Sequence, residues 1–189
     1  MKKKNTKKIQ IVLAGFGGQG IIFMGKMLTQ AALVKRRHLT WMPSYGAEVR
    51  GGTAHSMVVI SDEEIASPYV SEPDICVVMN NPSLKRFEPR IKKGGVLIIN
   101  SSLCEEKIKR KDIKIVKIPA TSIAEKIGNG RVANMVLLGA LTKTSGIFSL
   151  KNAMEALEVL IPLHRKALIP LNKKALGKGA SSVSGKGKS

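Results

Sequence analysis

Six consecutive residues, Gly15-Phe16-Gly17-Gly18-Gln19-Gly20, separate the apolar run Ile11 to Ala14 from an amphipathic stretch that begins at Ile21. A strand, a glycine-rich turn and a helix in that order make an anion site, because glycines let the backbone approach a ligand and a helix start offers free N–H groups. Gly15, Gly17 and Gly20 satisfy G-x-G-x-x-G, with Gly18 and Gln19 inside it. The alternative is that the glycines only permit tight strand-to-helix packing. A second polar segment, YGAEVRGGTAHS at 45–56, carries Arg50 beside Gly51 and Gly52. A guanidinium on so pliable a backbone suits bidentate contact with a phosphate or a partner carboxylate. It equally suits a brace to Glu48 within the loop. The candidate ligand-binding residues are therefore Gly15, Gly17, Gly18, Gln19, Gly20, Arg50, Gly51 and Gly52, and no catalytic residue is assigned.

Other chemistries lack their residues. A nicotinamide dehydrogenase needs an acid at the end of the second strand to hold the ribose, and that strand ends Trp41-Met42-Pro43-Ser44 with no acid before Glu48. Cys76 and Cys104 are the two cysteines, widely separated, whereas an iron–sulfur cluster takes four. His38, His55 and His164 show no metal-ligand spacing. Ser44, Ser56 and His55 offer no nucleophile–base–orienter set. Asn134, within the apolar stretch ANMVLLGAL, needs a partner from a neighbouring loop or an adjacent subunit.

The elements that must hold these residues alternate. Strands are expected at Ile9 to Ala14, His38 to Met42, Thr53 to Ile60, Ile75 to Met79, VLIIN at 96–100 and DIKIVKIP at 112–119. Helices are expected from Gln19 to about Val34, within 81–95, and near 121–127, 132–144 and 150–160, with a last turn at 172–176. The segment SDEEIASPYVSEP reads as a hairpin-like connection. Aliphatic strands alternating with helices predict an α/β fold: a Rossmann-like, mostly parallel sheet with helices on both faces in a single domain. Residues 1–8 read as a basic extension, 9–176 as the folded domain and 177–189 as a disordered Gly/Ser/Lys tail. The start MKKKNTKK runs into a core strand without a cleavage site, and no stretch approaches the ~20 apolar residues of a membrane span, so a cytoplasmic chain with no membrane partner is expected.

The net charge is +19. Without the lysines of 1–8 and 177–189, 24 basic residues face 13 acidic ones, which still leaves +11. That balance favours an anionic ligand or acidic partners. Aromatics make up only 4% of the chain, too few for the stacking platforms of nucleic-acid readers, so no nucleic-acid partner is expected. From these residues alone, a stand-alone nucleotide- or flavin-binding α/β module is one reading.

A second reading comes from the order of longer motifs: GFGGQGI, WMPSYGAEVRGGTAHS, SDEEIASPYVSEPD, PSLKRFEPRIKKGGVLIINSSL, PATSIAEKIGN and RVANMVLLGAL. Together they resemble the gamma subunits of the 2-oxoacid:ferredoxin oxidoreductases, the 2-oxoglutarate branch above all. Related domains occur in the pyruvate, ketoisovalerate and indolepyruvate enzymes. The resemblance implies a subunit that is inactive alone and completes a complex with alpha, beta and, in some complexes, ferredoxin-like delta subunits. It also implies that thiamine diphosphate, magnesium and iron–sulfur clusters lie in those partners, that ferredoxin is met only indirectly, and that this chain itself binds none of these cofactors. Coenzyme A is the co-substrate, and the glycine turn becomes the cradle for its phosphates. A homodimer contact is a further possibility that the resemblance leaves open.

Overall fold

The computed structural model describes residues 8–33, 37–44 and 53–183. Six strands form one sheet: β1 (Ile9–Phe16), β2 (His38–Ser44), β3 (Thr53–Ser61), β4 (Ile75–Val78), β5 (Val96–Asn100) and β6 (Lys114–Ile118), in the order β2-β3-β1-β4-β5-β6. The pairs β1–β4, β4–β5 and β5–β6 are parallel, whereas β3 runs antiparallel to both its neighbours. The sheet is thus mostly parallel, with β3 inserted between β1 and β2. Ile11 to Ala14 have no exposure, as a central strand covered on both faces must. Pro43 lies in the edge strand β2, where a missing N–H costs little.

Alternation along the strands sends side chains into two cores. Ile11, Leu13, Val58, Ile60, Val77 and Ile98 face a large one, built with α1 (Ile21–Leu33), α3 (Ala120–Lys126), α4 (Ala133–Ser145), α5 (Leu150–Leu160) and α6 (Ile169–Ser181). Val12, Ala14, Met57, Val59, Cys76 and Val78 face a smaller one, covered by α2 (Asn81–Phe87) and irregular chain. Helices do lie on both faces, but unequally, with one short helix against five.

On the smaller face, backbone loops replace the missing helices and are pinned by side chains. Glu88, buried, accepts the N–H groups of Lys109 at 2.5 Å and Arg110 at 2.8 Å through Oε1. The Arg110 guanidinium donates in turn to Asp112 at 2.6 and 2.7 Å and to the Ile91 carbonyl at 2.9 Å. The expected hairpin at SDEEIASPYVSEP is irregular chain instead, anchored by buried Val70, whose N–H points at Met57 Sδ 3.3 Å away.

The C-terminal expectation needs correction. The last turn foreseen at 172–176 is a 13-residue helix, and α6 carries on through Ser181 into the stretch expected to be a disordered tail. Its glycines are the cause rather than an obstacle. A Cβ on Gly179 would lie 1.8 Å from the Val136 carbonyl oxygen, and one on Gly139 would lie 2.0 Å from that of Leu176. The backbones of α4 and α6 meet at that crossing. It completes the burial of α4, in which Ala133 to Thr142 are buried all round. Residues 184–189 and the extension 1–7 lie outside the described residues. No helix among the described residues is long and apolar enough to cross a membrane.

Candidate functional site

The carboxyl ends of the parallel strands share one edge of the sheet, and there the chain leaves β1 for α1. Winding proceeds to β2 on one side of β1 and returns by β3 to β4 on the other, so β1 and β4 flank the point where ligands settle in open α/β sheets. The glycine turn sits at that point. Gly18 (φ +88°) and Gly20 (φ +75°) occupy the left-handed region that side chains disfavour. The first α1 backbone bond runs from the Met24 N–H to the Gly20 carbonyl at 2.9 Å, so the amides of Ile21, Ile22 and Phe23 precede the helical ladder. No acidic side chain lies in the first turn of α1 to compete for them.

The remaining turn residues shape it. Gln19 Oε1 accepts the Phe16 N–H at 2.7 Å and an Asn80 Nδ2 hydrogen at 3.2 Å, while Asn80 Oδ1 caps α2 by accepting the Ser83 N–H at 2.9 Å. One amide pair thus ties the turn to the start of the helix after β4. Gly15 leaves room for this, since a Cβ there would meet Gln19 Oε1 at 2.7 Å and Ile21 Cδ1 at 2.9 Å. Asn134 takes the first of its two foreseen partners, a neighbouring loop. Its Nδ2 approaches the Gly20 carbonyl at 3.5 Å, and a Cβ on Gly20 would lie 2.2 Å from it.

A cleft of about 360 Å³ opens over the turn, bounded by Gly17, Gly18, Gly20, Phe23, Lys26 and Ala54. Beyond Phe23 a second hollow of about 300 Å³ presents Asn134, Arg131 and Arg165. Of the foreseen residues, Gly17, Gly18 and Gly20 line the first cleft, while Gly15 and Gln19 stand behind it. Arg50, Gly51 and Gly52, with Glu48 and Tyr45, lie outside the described residues. The ends of their segment do reach this edge: Ser44 pairs with His55, and Thr53 pairs with Phe16.

Lys26 was not foreseen, although it is the only charged residue of α1 and shares a helix face with Ile22 at the i, i+4 spacing. Asn80 was also missed. An Asn before Asn81-Pro82 is a helix-start signal, but nothing in the sequence joins it to a glutamine 61 positions earlier.

The ribose-binding acid has no place here, because β3 separates β2 from β1. Burial pushes the Cys76 thiol up, and burial with the nearby Glu106 carboxylate pushes Cys104 up to about 12. Both stay protonated and make poor ligands. Among the described residues no three His, Cys, Asp or Glu side chains gather in a way that could hold a metal. The donor set of the described residues does not fit a cluster or a magnesium ion.

A glycine turn, helix-start amides and a lysine gather at the switch point of an α/β domain. The chain belongs to the pyruvate ferredoxin/flavodoxin oxidoreductase family, whose pattern matches residues 10–182. It is 41% identical over 160 residues to the 2-oxoglutarate synthase subunit KorC of Methanothermobacter thermautotrophicus, covering 81% of this chain and 85% of that one. It is 40% identical over 135 residues to the ketoisovalerate oxidoreductase subunit VorA of Methanothermobacter marburgensis, which is 71% of this chain but only 28% of the length of VorA. The structure resembles that of the keto/oxoacid ferredoxin oxidoreductase gamma subunit of Geobacter sulfurreducens, with a TM-score of 0.81 at 29% identity over 93% of this chain and 98% of that one.

Proposed function

We propose that this chain is the gamma-type subunit of a 2-oxoacid:ferredoxin oxidoreductase, with 2-oxoglutarate the favoured substrate of the complex, and that its glycine turn receives phosphates of coenzyme A. The likeness to KorC over most of both chains supports the 2-oxoglutarate assignment. The observation that carries the ligand reading is the cleft at the β1–α1 junction. There, Gly17, Gly18 and Gly20 expose backbone to a ligand at the start of a helix with no acid in its first turn. Arg50, with Gly51 and Gly52, belongs to the same proposed site, since its segment starts and ends at that edge.

In this reading thiamine diphosphate, magnesium and the iron–sulfur clusters are held by partner subunits, where they supply decarboxylation and electron transfer to ferredoxin. This chain binds and orients. Backbone amides at the start of α1 neutralise part of the phosphate charge, Gln19 and Asn80 keep the turn open, and Asn134 fixes its far side. The work done is to hold coenzyme A in register with a thioester-forming step that occurs elsewhere.

The test is reconstitution with the alpha and beta subunits. A folded complex carrying Gly20→Val should show a raised KM for coenzyme A, while release of carbon dioxide from 2-oxoglutarate changes little. An unchanged KM in an intact complex would assign the glycines to packing alone.

A further inference from the structure

Among the described residues, the lysine that lines the cleft has an aromatic ring, not a carboxylate, beside it. Lys26 Nζ stands 5.8 Å from the centroid of the Trp41 ring. That ring is itself held, because Trp41 Nε1 donates to Ser56 Oγ at 2.6 Å and Ser56 is fully buried in β3. The neighbouring residue in α1 makes the arrangement possible. A Cβ on Gly25 would sit 2.3 Å from Ser56 Oγ and 2.5 Å from Trp41 Nε1, so this helical position is glycine where the indole–hydroxyl pair meets α1. Three elements thus converge to fix one ammonium group beside the glycine turn.

The choice of partner has a chemical consequence. A carboxylate would orient Lys26 but cancel its charge, whereas the face of an indole attracts a cation and leaves the charge whole. Among the described residues bounding the cleft there is no acid. A full positive charge held in place opposite backbone amides suits a phosphate or diphosphate group, with the amides taking one set of oxygens and the ammonium another.

We propose that Lys26 is a phosphate-binding residue of this cleft and that Trp41, fixed by Ser56, is its positioning residue. The proposal rests on the reading of the glycine turn as an anion cradle and adds to it a side-chain charge and the device that aims it.

Trp41 is the only tryptophan in the chain, so the site carries its own reporter. The full chain is titrated with coenzyme A and, separately, with inorganic pyrophosphate. Affinity is measured by calorimetry and the emission of Trp41 is followed in parallel. The expected result is that both ligands bind and change the emission. Lys26→Met should then weaken binding about tenfold or more, the usual scale for a lost charged contact, with Lys26→Arg restoring most of it. Trp41→Phe should retain more affinity than Trp41→Leu, because only the former keeps an aromatic face. If Gly20→Val abolishes binding while Lys26→Met leaves it unchanged, the lysine proposal is overturned and the anion cradle stands. If the folded wild-type chain binds neither ligand, the cradle reading falls, and the lysine proposal with it. Equal affinities for Trp41→Phe and Trp41→Leu would remove the positioning role.

Discussion

Gly18 and Gly20 share a left-handed backbone but not a neighbourhood, and the difference makes them separable. A side chain on Gly18 meets nothing within 4 Å, whereas one on Gly20 runs into Asn134. Gly18→Ala should cost only the backbone strain, about 1–3 kcal/mol, and Gly20→Ala should cost visibly more. Denaturant unfolding of the two variants checks the order. His55 gives a second test. It is buried on β3, tilted against Phe87 with ring centroids 5.3 Å apart, and its Nδ1 has no hydrogen-bond partner among the described residues. Burial first, and the Arg86 and Arg90 charges after it, lower its pKa below the usual 6.5, against a raising contribution from the Thr53 backbone. The unfolded chain therefore takes up a proton near pH 6.5 that the folded chain refuses until lower pH. Stability contributed by neutral His55 is complete above 6.5 and is lost as pH falls through the folded value. Melting temperatures of the wild type and His55→Gln between pH 7.5 and 5.5 should diverge in slope, and parallel curves would contradict this. Arg50 carries a third test. If it clamps an anion, Arg50→Lys already weakens coenzyme A use in the complex. If a double-mutant cycle couples it strongly to Glu48 with no such loss, it leaves the site.

At the scale of elements, the loops on the smaller face depend on Glu88. Glu88→Ala strips the Lys109 and Arg110 amides of their acceptor, at about 1–3 kcal/mol, and amide exchange at those two residues should accelerate before that of the sheet. The α4–α6 crossing is less forgiving. Gly179→Val places a side chain against the backbone of Val136, which no rotamer can avoid, so α6 must lift. Limited proteolysis should then cut within 169–181, and the loss should exceed the ~1–3 kcal/mol of ordinary overpacking. These two elements also show what was legible in the sequence. The strands and α1, α3, α4 and α5 were readable because Val, Ile and Leu repeat at periods a sheet or a helix face imposes. α6 was not, since Gly177, Gly179 and three lysines within 173–178 read as low complexity. Only the facing Gly139, 40 positions earlier, shows why small residues belong there. The same limit applies at the site. The glycine turn announces itself locally, whereas Asn80, Lys26 with Trp41, and the antiparallel insertion of β3 are facts of tertiary arrangement.

Considered whole, the molecule is a basic body with one equipped edge. The isolated chain should be colourless and should not turn over 2-oxoglutarate, coenzyme A and a low-potential acceptor, since two buried protonated thiols cannot hold a cluster. Absorption spectra and an assay of the pure chain check this, and turnover without partners would overthrow the subunit assignment. In the proposed complex the net charge of +19 should serve assembly: partner subunits with acidic faces should associate faster at low salt, and stopped-flow association across a salt series should slow accordingly. The crossing of α4 and α6 has one more consequence, in the order of folding. α4 is apolar on every side, and its last cover is supplied by Ala175, Leu176 and Gly179. Until those residues dock, α4 keeps one apolar flank bare. The vulnerable state of this fold is therefore the one in which α6 has yet to dock, and the helix that closes it is the one whose composition most resembles a dispensable tail.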